Sequence, residues 1–240
     1  MESLTTDSLF NGSIRVKQHG SGYRFSLDAV LLAQHAGPSP DHTVLDLGTG
    51  CGIIPLILAY RYPKIKVYGV EVQTELADIA TLNIAENHME DRITIYCKDL
   101  KRLKQDMTSG PVDLVVTNPP YRKVTSGRLN PDQQRAVAKH ELKATLFDVV
   151  ETARRMLRTS GRLVIIYAAE RIVDIIIQMR SSGIEPKYIR MIHSSRQVNA
   201  KRILVEGKKG GRHGITIGPP LMIYRKNGVY SGEVQAMFMP

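Results

Sequence analysis

The segment Val44-Leu45-Asp46-Leu47-Gly48-Thr49-Gly50-Cys51-Gly52 constrains this chain more than any other. A short apolar run ends in three glycines spaced by single residues, and a longer apolar stretch, Ile53–Tyr60, follows at once. That is a buried strand turning sharply into a helix packed upon it. Backbone N–H groups approach a ligand closely at such glycines, because no Cβ intervenes. The helix N-terminus adds N–H donors that have no intrahelical partner.

The alternation continues downstream. Lys66–Val70 reads as a second strand, ending at Glu71. Thr74–Asn87 carries Leu76, Ile79, Ala80 and Ile84 at helical spacing, with Thr74 as its cap. Ile93, Ile95 and Cys97 alternate with polar residues as a third strand. Val112–Thr117 is a fourth, stopped by Asn118-Pro119-Pro120. Leu142–Leu157 reads as a helix ended by Ser160-Gly161, Leu163–Tyr167 as a fifth strand, and Ala168–Arg180 as a helix ended near Gly183. Tyr188–Ile192 and Arg202–Val205 then read as strands with no helix between them, hence an antiparallel pair. The pattern predicts an α/β fold, a mostly parallel sheet with a late antiparallel strand and helices on both faces. Residues 1–40 form an N-terminal extension with Gly20-Ser21-Gly22 and a helix across Leu27–Ala36; residues 41–240 form the main domain, with no composition break inside it.

Glu71 lies 19 residues beyond Gly52. An acid at the end of a second strand accepts hydrogen bonds from both hydroxyls of a ribose. The core therefore binds a nucleoside-like cofactor. A dinucleotide fingerprint would read G-x-G-x-x-G, but here the third glycine comes one residue early and Asp46 stands just before the loop. That acid repels a pyrophosphate and suits an ammonium or sulfonium group. S-adenosylmethionine carries both. The run Asp46–Gly52 resembles the first motif of class I S-adenosylmethionine-dependent methyltransferases. The resemblance implies a Rossmann-like fold with a seven-stranded sheet. It also implies that Asp46, Gly48, Thr49, Gly50 and Gly52 hold the methionine end. Glu71 with Val72, and Asp99 with Leu100, would complete the cofactor site, Asp99 meeting the adenine amino group.

Asn118-Pro119-Pro120-Tyr121 follows the fourth strand directly. Consecutive prolines fix the backbone and remove two donors, leaving the Pro119 carbonyl rigidly aimed. The Asn118 amide oxygen is a second acceptor, and Tyr121 supplies an aromatic face. Two acceptors beside a ring suit one task, gripping a planar NH2 group. Such an amine is a poor nucleophile because its lone pair is delocalised, and drawing on its two hydrogens favours the pyramidal form. The segment resembles the fourth motif of methyltransferases acting on adenine N6, cytosine N4 or glutamine N5. Asn118 thereby belongs to both the catalytic and the cofactor-binding set.

Charge selects among these amines. The chain of 240 residues carries a net +10, divided as −3 over residues 1–120 and +13 over 121–240. A polyanion contacted by the second half is the natural reading. Residues 201–212 hold Lys201, Arg202, Lys208, Lys209 and Arg212 against Glu206, among glycines that read as a flexible loop. Arg122, Lys123 and Arg128 follow Tyr121, so these cations would gather round one entrance and face RNA phosphates. Seven histidines show no ligand spacing, and no metal is expected. Two cysteines, no apolar run long enough to span a membrane and no signal peptide point to the cytoplasm.

A release-factor glutamine methyltransferase resembles the core but carries a substantial helical domain before it, and only 45 residues precede Asp46. A DNA adenine methyltransferase normally needs a target-recognition domain. The segments Gly22–Ala33 and Lys201–Gly211, with the core motifs, resemble the bacterial tRNA1(Val) adenine-37 N6-methyltransferase family. The resemblance implies methylation of the adenine next to the anticodon. It also implies that residues 1–40 close over the cofactor, with Arg24, Phe25 and Asp28 as contacts. A protein glutamine N5-methyltransferase and an N6-adenine methyltransferase of another RNA or of DNA are the alternatives.

Overall fold

The computed structural model describes residues 4–20, 26–119, 144–225 and 228–239. It opens on a hairpin, β1 (Leu4–Leu9) and β2 (Ile14–His19), with Leu9 opposite Ile14. Phe10, Asn11 and Gly12 turn it with positive φ. The Asn-Gly pair is the sequence signal for that turn, and the expectation of one N-terminal helix passed over it. Helix α1 (Leu27–Ala36) then leads into β3 (Thr43–Leu47), α2 (Ile53–Arg61), β4 (Lys66–Glu71), α3 (Thr74–Glu86) and β5 (Ile93–Cys97). Two 3-10 turns precede β6 (Val112–Thr117). Beyond it come α4 (Leu146–Met156), β7 (Leu157–Ala168), α5 (Ile172–Ser181), β8 (Ile184–His193) and β9 (Arg202–Lys209). The short strands β10 (Thr216–Ile217) and β11 (Leu221–Met222) and the short helix α6 (Gly232–Ala236) close the described chain.

The principal sheet runs β10-β8-β9-β7-β6-β3-β4-β5, and β11 also pairs with β8. Seven long strands form its body, and β9 alone among the described strands of this sheet runs against its neighbours. Successive residues of each central strand face opposite sides. Val44, Leu114, Val164 and Leu204 thus pack on one face with α1, α2 and α3, and on residues Leu9, Phe10, Ile14 and Val16 of the hairpin. Leu45, Val115, Leu163 and Val205 pack on the other face with α4 and α5.

Several element boundaries move. The helix expected over 142–157 begins at Leu146, where Thr145 and Asp148 form a capping box, and passes at Met156 straight into β7. Positions 142 and 143 lie outside the described residues. Ser160 and Gly161 do not stop a helix. They lie inside β7, beside a register shift between Val112 and Leu114. Ala168 ends β7 instead of starting a helix, and Thr74 is the first helical residue of α3, preceded by Gln73 at the cap position.

Candidate active site

Strand β3 sits between β4 and β6, both parallel to it. The chain leaves β3 toward β4 and β5, and later returns on the other side as β6 and β7. Ligands in open α/β sheets bind at such a switch point, outside the carboxyl ends of the strands. Leu47 pairs with Val70 on one side and Thr117 on the other. The residues that follow these strand ends are the glycine loop, Glu71 and Asn118. Glu71 is itself opposite Cys97, which brings the position of Asp99 to the far end of the row.

Gly48, Gly50 and Gly52 have φ of 77°, 56° and 83°, a region where side chains are strained. Gly48 and Thr49 donate their N–H groups to the Val70 carbonyl, at 2.9 and 3.0 Å, holding the loop over β4. A Cβ on Gly52 would meet Ala80 at 3.2 Å and Ile84 at 3.3 Å, so that glycine lets α3 approach. A Cβ on Gly48 would meet nothing within 4 Å, so this side of the loop borders open space.

Asp46 is fully buried, and neither carboxylate oxygen has a hydrogen-bond partner among the described residues. Its pKa is pushed up to about 7. Burial is the main cause, the nearby Thr49 hydroxyl opposes it, and Glu71 adds to the rise. A buried, unpaired carboxyl costs free energy unless a cation joins it. Glu71 accepts N–H bonds from Gly50 at 3.1 Å, Val72 at 2.9 Å and Gln73 at 3.0 Å, tying the loop to the end of β4. Asp99 caps the first 3-10 turn, accepting from the Lys101 N–H at 3.0 Å with its side chain partly exposed. Leu100 is half-buried in that turn. Burial pushes the Cys51 thiol up to about 11, which suits a packing residue and not a nucleophile.

On the other side of the switch point, the Thr117 hydroxyl donates to the Leu47 carbonyl at 2.8 Å and locks β6 to β3 just before Asn118. Pro119 is buried. Pro120, Tyr121, Arg122, Lys123 and Arg128 lie outside the described residues, as do Arg24 and Phe25. Asp28, at the start of α1, accepts from Arg202 Nε at 3.0 Å.

The expectation that the late cations gather at one entrance needs correction. Arg202 is opposite Ala168 at the carboxyl edge, but Lys208 is opposite Arg162, which is level with Leu114 and Val44 near the strand starts. Lys208 therefore stands roughly 20 Å along β9 from Arg202, at about 3.3 Å per residue. Lys209 donates to the Leu157 carbonyl at 2.6 Å, and burial holds its ammonium below the usual lysine range. Arg212 follows beyond them. Gly207 is not a hinge: it lies in β9, where a Cβ would collide with Met179 and Ile184. Of the expected late cations, Lys201 and Arg202 stand at the edge that carries Asn118.

One positioning residue escaped the sequence reading. Asn83 is fully buried on α3, and its Nδ2 donates to the Cys51 carbonyl at 2.9 Å and the Lys17 carbonyl at 2.8 Å. Its oxygen accepts the Lys17 N–H at 2.7 Å, and Asn87 grips Arg15 likewise. Two amides one helical turn apart thus dock the edge of β2 and reach the glycine loop. Asn83-x-x-x-Asn87 was the available signal, legible only with the β2 strand in hand.

The methyltransferase small domain family matches residues 24–179. The chain belongs to that family. It is 31% identical to the tRNA1(Val) (adenine(37)-N6)-methyltransferase of Porphyromonas gingivalis, over 99% of this chain and 95% of that protein. It is 28% identical to the protein of the same name from Pedobacter heparinus, over 92% of each. Among solved structures, a predicted O-methyltransferase from Agrobacterium tumefaciens is similar with a TM-score of 0.70 and 26% identity, covering 88% of this chain and 94% of that one. Among the described residues no helix is long and apolar enough to cross a membrane.

Proposed function

We propose that the protein transfers a methyl group from S-adenosylmethionine to the exocyclic N6 of an adenine in tRNA, beside the anticodon. The observation that carries this reading is the switch point itself. An unpaired buried carboxylate near the end of β3 and the glycine loop that follows it adjoin Asn118-Pro119 at the end of the neighbouring β6. The match to tRNA adenine methyltransferases along nearly the whole chain supports the acceptor class.

The residues fit that cofactor. Asp46 would take its cationic methionine end, Glu71 the ribose and Asp99 the adenine, with Val72 and Leu100 flanking them. When bound, S-adenosylmethionine supplies an electrophilic methyl on a positively charged sulfur. The chain's own task is to present the amine. Asn118 Oδ1 and the Pro119 carbonyl would accept its two hydrogens, favouring a pyramidal nitrogen with its lone pair directed at the methyl. Alignment then supplies most of the rate gain. No side chain need remove a proton first, because the proton can leave to water after transfer. The adenine has to be splayed from its stack to reach Asn118, which costs less in a loop than in a duplex.

The test is incubation with isotopically labelled S-adenosylmethionine and total tRNA, then mass spectrometry of the nucleosides. Labelled N6-methyladenosine is the expected product. Labelled N5-methylglutamine in a protein fraction, with no labelled nucleoside, would overturn the reading.

A further inference from the structure

We propose that the β8–β9 hairpin loop, residues 194–201, is the element that reads the RNA around the target base. The proposal rests on the RNA reading above and names its contact surface. Thr117 is opposite Ile165 on β7, which is opposite Val205 on β9. The start of β9 is thus two strands from Asn118, about 10 Å sideways. Arg202 pairs with Ala168, three residues further toward the carboxyl edge than Ile165. The loop therefore rises as a wall beside the cleft. The cofactor acids occupy the β3-β4-β5 side, so an acceptor reaching Asn118 enters from the side this wall borders.

The loop is firm where it is backbone. His193 Nδ1 lies 2.7 Å from the Val198 carbonyl, and Val198 N–H donates to Ser195 at 3.3 Å. Lys201 N–H donates to Ile192 at 3.1 Å, the Lys201 carbonyl accepts from Ala169 at 3.2 Å, and Tyr224 N–H donates to Ser194 at 2.9 Å. Its side chains are committed to nothing. Arg196, Gln197, Asn199 and Lys201 are exposed and make no side-chain hydrogen bond or ion pair among the described residues, and residues 194–201 contain no acid. Cations on the neighbouring strands and helix are engaged: Arg190 holds Glu233, Arg171 holds Asp174 and Arg162 holds Glu206.

A braced loop with free cations and free amides suits a single-stranded RNA loop. Arg196 and Lys201 take phosphates, which carry affinity without sequence. Gln197 and Asn199 offer donor and acceptor together, as an unpaired base edge requires. Exposed Val198 gives an apolar contact between them.

The experiment compares the unaltered protein with Arg196→Glu/Lys201→Glu, its milder form Arg196→Gln/Lys201→Gln, and Gln197→Ala/Asn199→Ala. The substrate is an anticodon stem–loop transcript, assayed across a salt series, and Lys208→Glu supplies a charge reversal at the opposite edge. We expect the Arg196/Lys201 variants to raise KM for RNA about tenfold or more and to flatten the salt slope by roughly one per lost contact, with KM for S-adenosylmethionine unchanged. Gln197→Ala/Asn199→Ala should weaken the preference for the native bases flanking the adenine over altered ones. Lys208→Glu should stay within about twofold. Unaltered KM and salt slope in both Arg196/Lys201 variants, beside an active parent protein, would overturn this inference alone. A parent protein that methylates no RNA would overturn the RNA reading and this inference with it.

Discussion

The carboxyl edge of the sheet has two halves that differ in chemistry and in how completely the protein satisfies its own groups. On the β3-β4-β5 half, acids predominate. Glu71 is held by three backbone N–H groups, yet Asp46 is buried with both oxygens unpartnered. On the β6-β7-β9 half, Asn118 is half-buried, the cations Arg196 and Lys201 are exposed, and Arg202 is drawn back onto Asp28. Each half therefore suits a different ligand. A cationic group is drawn to a buried carboxylate that lacks a partner, and a large anion is met on an exposed rim.

Asn118→Ala should have the largest effect, and on the acceptor half alone. Removing one amine acceptor should lower the methylation rate by roughly 100- to 1000-fold, the scale set by loss of one preorganised hydrogen-bonding group in an active site. Initial rates at saturating cofactor and RNA check this.

Asp46→Asn acts on the other half. Losing a charge-assisted contact should weaken S-adenosylmethionine by roughly 10- to 100-fold, equivalent to about 1.5–3 kcal/mol. The unliganded protein should respond in the opposite direction. In the fold Asp46 keeps its proton up to a pH of about 7, whereas the unfolded carboxyl releases it near 3.8. The fold binds more protons across that window, so this group's contribution to stability is full at the acid end and lost as pH rises through 7. Thermal melts from pH 5 to 8 should fall less steeply in Asp46→Asn than in the parent, and affinity for the cationic cofactor should rise with pH over the same range.

Asn83→Ala should give a smaller effect, on stability and on the cofactor half only. It strands the Cys51 and Lys17 carbonyls and the Lys17 N–H, a loss of about 1–3 kcal/mol by denaturant titration. KM for S-adenosylmethionine should rise severalfold while KM for RNA stays fixed, which a merely global loss of stability would not produce.

The cofactor half was more legible in sequence than the substrate half, for a physical reason. Glycines at positive φ and an acid at a strand end are local requirements, so Gly48, Gly50, Gly52 and Glu71 stand in the sequence at the spacing the turn demands. The body of the sheet was legible too, since buried parallel strands read as apolar runs. What failed was non-local. Lys201 and Lys208 are seven residues apart and look like one basic run, but a strand carries them to opposite edges of the sheet. Arg196 and Asn199 look like ordinary loop residues until the antiparallel pairing of β8 and β9 sets their loop beside Asn118. Asn83 looks like a polar helix residue until β2 is laid along it.

Calorimetric titration of S-adenosylmethionine into Asn118→Ala tests the separation of the two halves. The dissociation constant should stay within about threefold of the unaltered protein, since Asp46, Glu71 and Asp99, the groups proposed for the methionine, ribose and adenine parts, lie on the β3-β4-β5 side. Loss of binding in a variant that still folds would contradict it, because Asn118 would then hold the cofactor and not chiefly the acceptor amine.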